Sequence, residues 1–211
     1  PRREPVVLKD TVQSALNDQI QAEFHSSYLY LAMAAWCETK NFDGFAHWMR
    51  MQAQEELQHA MKFFDYLNAT GNTVILQAVQ QPQTSWESPL EAFRAALAHE
   101  KVMTESINAL VAMSMEQNDY ATHNVLQWFV SEQVEEEATV DAICGKLEMM
   151  GDNMHGVYMM DRELSGRAEP TAPPAWVSRD SRISPVMATA LPEDWSTMTK
   201  VTSASATSSS A

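Results

Sequence analysis

The sequence has only two cysteines, no long apolar run, and half as many basic as acidic residues. Cys37 and Cys144 stand alone in helical stretches, and without a CxxC pair a structural zinc site or a rubredoxin-like iron centre is excluded. We expect two free buried thiols rather than a disulfide, because the compartment should be reducing. No apolar run approaches the roughly 20 residues of a transmembrane helix, so no membrane span is predicted.

The charge balance is acidic, with 14 lysines and arginines against 28 aspartates and glutamates and a formal net charge of −14. Such a surface repels nucleic acid and anionic membranes and favours solubility and cations. Residues 1–5 lack the apolar block of a signal peptide, so we expect a cytoplasmic protein. At 211 residues, the chain is long enough for one well-cored domain and short for two.

Helical periodicity predicts four long helices, at about residues 10–40, 45–69, 89–117 and 120–150. A capping box at 88–91, with proline at the first helical position, predicts the start of the third. Short turns make each pair antiparallel, whereas residues 72–87 lack helical periodicity and can cross the bundle in extended form. This order predicts an all-α fold, the ferritin-like four-helix bundle with one long crossover.

A short fifth helix is predicted at residues 157–165, with Val157, Met159, Met160 and Leu164 as its apolar residues. From about residue 168 the composition changes to proline, serine, threonine and alanine. We therefore divide the chain into a bundle domain, 1–168, and an irregular C-terminal extension, 169–211. We expect the extension to be disordered; docking onto the assembled protein or a partner is the alternative, and Trp176 and Trp195 argue mildly for it.

Four glutamates interrupt the apolar stripes of the four long helices near their middles. The stripes read Leu16, Ile20, Glu23, Ser27, Tyr30, Ala34; Met49, Gln52, Glu56, His59, Phe63, Tyr66; Phe93, Ala96, Glu100, Met103, Ile107, Leu110; and Val125, Phe129, Glu132, Glu136, Thr139, Ile143. Steps of three and four mark the buried face of a helix. Since unpaired buried carboxylates are costly and four together repel one another, the pattern predicts a metal site.

The spacing within two helices indicates which ligands act together. Glu56 and His59 stand three residues apart and lie on one helix face, as do Glu132, Glu135 and Glu136. Carboxylates with one imidazole suit iron or manganese. Glu56 is the natural carboxylate to bridge two ions. Any one of these residues could instead belong to a solvated helix face, but four coincident mid-helix positions favour the metal site.

At these residues the chain resembles the ferritins, and more closely the non-haem bacterial ferritins. The resemblance is carried by EFHSSYLY at 23–30, QEELQH at 54–59, His99-Glu100 and QWFVSEQVEEE at 127–137. Both the motifs and their separations match, over about residues 8–166. It implies a hollow shell of twenty-four subunits that oxidises Fe(II) with O₂ or peroxide and stores a ferric oxide mineral.

Carried over by motif, the resemblance implies three iron sites. The first iron would be held by Glu23, Glu56 and His59, and the second by Glu56, Glu100 and Glu136. A third, accessory iron would be held by Glu55, Glu132 and Glu135. Tyr30 and Trp128 resemble family aromatics thought to donate electrons, with ordinary core packing as the alternative.

Two differences from the bacterioferritins narrow the resemblance to the non-haem ferritins. Thr139 follows Glu136 at the third position, so the second ExxH motif of the bacterioferritins and related di-iron oxidases is missing. Leu57 stands where a haem-ligating methionine would fall, so no haem is expected. The functions in competition are an iron-storing ferroxidase shell, a di-iron oxidase acting on an organic substrate without a shell, and a non-catalytic shell that only nucleates mineral. Addressing to another compartment by the extension is compatible with the first.

Overall fold

The structure, a computed structural model, describes residues 8–171 and contains five α-helices over that range. They are α1 (Asp10–Thr39), α2 (Asp43–Ala69), α3 (Pro89–Glu116), α4 (Tyr120–Met150) and α5 (Met154–Leu164). The described residues include no strand. The all-α bundle with one long crossover and a short fifth helix is therefore confirmed.

Polar caps begin three of the helices. Ser88 Oγ accepts from the Glu91 amide at 3.2 Å ahead of α3, and Asp119 Oδ1 accepts from the Thr122 amide at 3.0 Å ahead of α4. Asn153 caps α5 through its side-chain oxygen. The short turns between paired helices depend on left-handed backbone at Asn41 (φ 58°) and Asn118 (φ 56°), a conformation that asparagine tolerates well. These turns hold α1 against α2 and α3 against α4.

Side-chain hydrogen bonds hold the crossover between α2 and α3 against α1, and two of them come from the buried amide of Asn17. Asn17 Nδ2 donates to the Thr73 carbonyl at 3.0 Å, and Asn17 Oδ1 accepts from the Ile75 amide at 2.6 Å. Farther along, Gln77 Nε2 donates to Asp18 Oδ1 at 2.6 Å. The extended strand-like path thus gains backbone partners that it cannot supply itself.

Two apolar clusters fill the bundle on either side of its middle. One contains Tyr30, Trp48 and Phe93, and the other contains Phe63, Ile107 and Phe129. The four stripe-breaking glutamates fall between these clusters along their helices. Cys37 and Cys144 are buried free thiols, which confirms that prediction.

Three details of the predicted helices are wrong. On α4 the buried face carries Gln133, whereas Glu132 is half-buried and Thr139 is exposed. The buried stripe reaches Glu136 from Gln133, a step of three, and not from Glu132, a step of four. The fifth helix begins at Met154, three residues before the predicted start, because the Asn153 side chain caps it there. Met159 is 50% exposed and does not join its buried face.

No helix within residues 8–171 combines the length and the apolar character needed to span a bilayer. The C-terminal extension, including Trp176 and Trp195, lies almost entirely outside the described residues. The division of the chain at residue 168 stays a prediction.

Candidate metal centre

Each of the four long helices carries one of the stripe-breaking glutamates into the interior at a similar level. Their exposed fractions are 2% for Glu23, 1% for Glu56, 1% for Glu100 and 7% for Glu136. His59, one turn after Glu56 on α2, is 2% exposed. The structure therefore brings all five predicted di-iron ligands into one buried polar layer.

The ligand atoms of this layer form two overlapping sets. In the first, Glu23, Glu56 and His59 each place one ligand atom within 4.8 Å of the others. In the second, Glu56, Glu100 and Glu136 do the same. Among the described residues, Glu56 alone belongs to both sets, which is the position that a bridging carboxylate needs.

Three buried glutamine amides donate hydrogen bonds to these carboxylates. Gln19 Nε2 donates to Glu23 Oε1 at 2.9 Å, and Gln133 Nε2 lies 3.4 Å from Glu100 Oε2. Gln52 Nε2 donates to Glu56 Oε1 at 3.0 Å and also to Glu136 Oε1, on α4, at 2.9 Å. Each amide holds a carboxylate in place and stabilises its charged form.

The charge of the layer is concentrated on Glu56 and His59. Burial raises the pKa of Glu56, but the nearby charge of His59 and the hydrogen bond from the Gln52 amide outweigh it, so the pKa is lowered. Burial lowers the pKa of His59, but Glu56 more than compensates and raises it to about 9. The Nδ1 of His59 lies 3.6 Å from Glu56 Oε2. Without a metal ion, these two residues form an ion pair.

The other three carboxyls are pushed toward the neutral form. Burial, followed by the charge of Glu56, raises the pKa of Glu100 to about 8. The same two causes raise the pKa of Glu23 and of Glu136 well above the usual range. A divalent cation reverses both causes, because it replaces the lost hydration and offsets the repulsion.

One atom in the layer has no protein partner. Glu136 Oε2 is buried and makes no hydrogen bond, while its Oε1 accepts from Gln52. A buried carboxylate oxygen without a partner is costly. Glu136 belongs to the second ligand set, so a bound metal ion would supply the missing partner of this oxygen. The carboxylate oxygens of this set are hard donors, which fit an iron or manganese ion.

Tyr30 joins the layer from α1. It is fully buried, and its hydroxyl donates a hydrogen bond to Glu100 Oε1. Burial, then the charge of Glu100, raises the pKa of Tyr30 well above its usual value, so the phenol stays protonated. Its ring packs edge-on against Trp48, with centroids 6.3 Å apart. Tyr30 thus contacts a predicted metal ligand directly.

The predicted accessory ligands lie outside this layer. Glu55 and Glu132 are half-buried and Glu135 is exposed, and within the described chain these three do not form a set as compact as the inner two. Glu55 Oε2 instead accepts from Arg167 Nη2 at 2.6 Å. Trp128, the second predicted redox aromatic, packs edge-on against His59 at 5.4 Å and lies 4.2 Å below the Lys62 ammonium.

Sequence reasoning did not identify the three glutamines or Arg167. Gln19 and Gln52 stand four residues before Glu23 and Glu56, a spacing at which an amide reaches a carboxylate on the same helix face. That QxxxE spacing could have indicated both. No local pattern indicates Arg167, whose contacts to α2 span more than 110 residues of sequence.

Fold and site together define a class: an all-α bundle whose four main helices converge on a buried carboxylate and histidine centre. Comparison with known proteins agrees. A family model described as a ferritin-like domain matches residues 13–150. The chain is 40% identical over 158 residues to a probable bacterial non-haem ferritin-like protein of Haemophilus influenzae, covering 75% of this chain and 96% of that protein. It is 42% identical over 159 residues to a bacterial non-haem ferritin of Escherichia coli, with the same two coverages.

Solved structures show the same likeness. An open-pore ferritin from the hyperthermophilic archaeon Archaeoglobus fulgidus superposes with a TM-score of 0.76 at 46% identity, covering 77% of this chain and 100% of that one. A humanised archaeal ferritin gives 0.77 at 44% identity, with 78% and 100% covered. The chain belongs to the ferritin family, the iron-storage proteins with ferroxidase activity, and its Glu and His cluster is able to bind a metal ion.

Proposed function

We propose that this ferritin oxidises Fe(II) at a di-iron centre within each subunit, using O₂ or peroxide, and stores the product as ferric mineral inside a shell of twenty-four subunits. The observation that carries the proposal is the sharing of Glu56 by two buried ligand sets. Two ions held by one bridging carboxylate can deliver two electrons to one oxidant molecule.

The proposed ligands follow the two sets. Glu23, Glu56 and His59 would bind one Fe(II), and Glu56, Glu100 and Glu136 would bind the other. Four carboxylates with a neutral imidazole carry the charge that balances two divalent ions. Binding therefore requires His59 and the neutral carboxyls to lose protons, and the raised pKa values of His59 and Glu100 make this a proton-releasing step.

The redox step balances with either oxidant. Two Fe(II) ions lose one electron each; O₂ accepts both with two protons and becomes hydrogen peroxide. Peroxide as oxidant accepts both with two protons and becomes two waters. Tyr30, which is hydrogen-bonded to Glu100, is proposed to assist either as an electron donor or by holding that ligand in place. Trp128, which packs against His59, is the second aromatic residue proposed to donate electrons.

A third, accessory iron site at Glu55, Glu132 and Glu135 remains part of the proposal. Mutual repulsion supports their proximity: the charges of Glu55 and Glu135 contribute to the raised pKa of Glu132, after burial. The ion pair between Glu55 and Arg167 must rearrange before Glu55 ligates a metal through the bonded oxygen.

Exposed apolar side chains support self-association. Tyr28 and Leu31 on α1 are 51% and 47% exposed, and Ile75 and Leu76 on the crossover are 56% and 64% exposed. The crossover is fastened to α1, so the two groups belong to one side of the subunit. Several large exposed apolar side chains on one side of a subunit are typical of protein interfaces. A cytoplasmic location, the absence of haem and a partner for the extension stay expectations from the sequence.

The test is rapid mixing of the anaerobic Fe(II)-loaded protein with O₂, followed by ferric absorbance. Wild type should show a fast phase and then slow mineral growth. Glu56→Ala should abolish the fast phase, whereas the matched control Glu105→Ala, at an exposed position on α3, should retain it. An unchanged fast phase in Glu56→Ala would refute the site assignment. A particle mass of a monomer or dimer would instead favour an oxidase acting on an organic substrate.

A further inference from the structure

Arg167, three residues beyond α5, reaches back to α2 beside the metal centre. Its Nη2 donates to Gln52 Oε1 at 2.8 Å and to Glu55 Oε2 at 2.6 Å. Its Nη1 lies 3.3 Å from the Trp48 carbonyl, and the guanidinium lies 4.4 Å from the centroid of the Trp48 ring. The backbone is fixed as well, because His47 Nε2 lies 2.8 Å from the Arg167 carbonyl oxygen. The guanidinium therefore has a defined position.

Gln52 connects this guanidinium to the ligands. It is 2% exposed, its oxygen accepts from Arg167, and its nitrogen donates to both Glu56 and Glu136. Those two carboxylates come from different helices and both belong to the second ligand set. Gln52 thus clamps two ligands together, and Arg167 is the partner on its other side.

The chemistry of the two side chains decides which way the amide points. A glutamine amide can turn over and exchange its oxygen and nitrogen. Arginine has donors only, so it can face the amide oxygen but not the amide nitrogen. A turned amide would set nitrogen donors against each other at Arg167 and its oxygen against the carboxylates of Glu56 and Glu136.

We propose that Arg167 is a positioning residue of the metal centre, which fixes the Gln52 amide so that its nitrogen holds Glu56 and Glu136 ready for metal. The proposal rests on the proposed function only in assuming that these carboxylates bind metal. Arg167 itself contacts no ligand of the inner sets. It acts through Gln52, from a segment that follows the helical bundle in sequence.

The test is anaerobic titration of the full-length protein with Co(II), followed by visible absorbance, which reports ligand geometry without any oxidation. Arg167→Ala and Arg167→Gln should each weaken Co(II) binding about tenfold and alter the spectrum, as loss of outer support for metal ligands commonly does. Glutamine keeps much of the size but can present an acceptor. Arg167→Lys, which keeps a donor-only cation, should restore affinity to within about threefold. Arg94→Ala, on the exposed surface of α3, is the matched control and should leave the titration unchanged.

A double-mutant cycle tests whether the effect passes through Gln52. In a Gln52→Ala background, Arg167→Ala should weaken Co(II) binding no further, because the residue through which it acts is gone. An equal additional loss in that background, or wild-type affinity in both Arg167→Ala and Arg167→Gln, would overturn the proposal. Failure of the proposed function has a different signature, in which Glu56→Ala also leaves Co(II) binding unchanged.

Discussion

Glu55 and Glu56 are neighbours in sequence but differ in every physical respect, and Glu135 and Glu136 repeat the contrast on α4. Glu56 and Glu136 point into the bundle, where they share the Gln52 amide. Glu55 is half-buried and accepts a hydrogen bond from Arg167, and Glu135 is exposed. One residue step turns a helix by about 100°, which is enough to move a carboxylate out of the buried ligand layer. The inner set is preorganised, whereas the outer set is not.

The sharpest test of this contrast compares Glu136→Gln with Glu135→Gln, two identical changes at adjacent positions. The inner change removes a ligand and the charge that binds metal, so the initial rate of Fe(II) oxidation should fall about a hundredfold. The outer change should cost less than about threefold, because an exposed carboxylate is readily replaced by water. Stopped-flow ferric absorbance measures both rates. Equal losses would show that inner and outer carboxylates work as one site.

A second test uses pH, since the pKa values of the inner carboxyls Glu23, Glu100 and Glu136 lie well above their usual range. The pKa of Glu100 is raised to about 8 and that of His59 to about 9, so the folded apoprotein binds more protons than the unfolded chain above their usual values. The stability from these groups is therefore lost as pH rises, from about 4.5 to 8 for Glu100 and from about 6.5 to 9 for His59. Over that range the melting temperature of the apoprotein should fall by at least about 4 °C, roughly 1 kcal/mol for a domain of this size.

Bound metal should remove this fall of the melting temperature with pH. Since binding releases the same protons, the affinity for Zn(II), a redox-inert probe, should rise with pH up to about 9. Calorimetric scans with and without Zn(II), on wild type and Glu100→Gln, measure both effects. The variant should lose part of the apoprotein slope. A flat melting temperature in wild type would contradict the ionisation states argued above.

Tyr30→Phe gives a smaller effect inside the centre. It removes the hydroxyl that donates to Glu100 and leaves the ring packing in place. We expect a loss of about 1 kcal/mol of stability, typical for one hydrogen bond, and a fall of roughly threefold to tenfold in the fast oxidation phase. Chemical denaturation and stopped-flow absorbance measure the two effects. Unchanged oxidation would leave Tyr30 as a packing residue.

The smallest expected effect is that of Glu132→Gln. Its side chain is half-buried and belongs to neither inner set. The fast phase should change less than about twofold, since a half-buried carboxylate outside the inner sets interacts only weakly with them through solvent. Fe(II) binding measured anaerobically should lose at most one weak equivalent. Loss of a tight equivalent would show that the outer carboxylates are as well organised as the inner ones.

The inner ligands could be predicted from the sequence better than the residues that surround them. Helical periodicity predicts the inner glutamates and the topology, because burial repeats at the helix period and Glu56 and His59 follow that period. It predicts the α4 face less well: Glu132 and Gln133 each stand at a helical step from Glu136, and only packing selects Gln133. Arg167 is beyond such patterns, since tertiary structure alone brings it to α2. Helical periodicity identifies the ligands, and the QxxxE spacing could identify Gln19 and Gln52, but the contact of Arg167 with Gln52 depends on tertiary structure.

The long crossover separates the ligands of the metal centre into those synthesised early and those synthesised late. Glu23, Glu56 and His59 all precede it, on α1 and α2, whereas Glu100 and Glu136 follow it. Because a ribosome makes the chain from its N-terminus, every ligand of the first set has been made before α3 begins. The second set has only Glu56 at that moment. The first ligand set is thus synthesised completely before the second, and the bridging residue Glu56 is among the residues synthesised early.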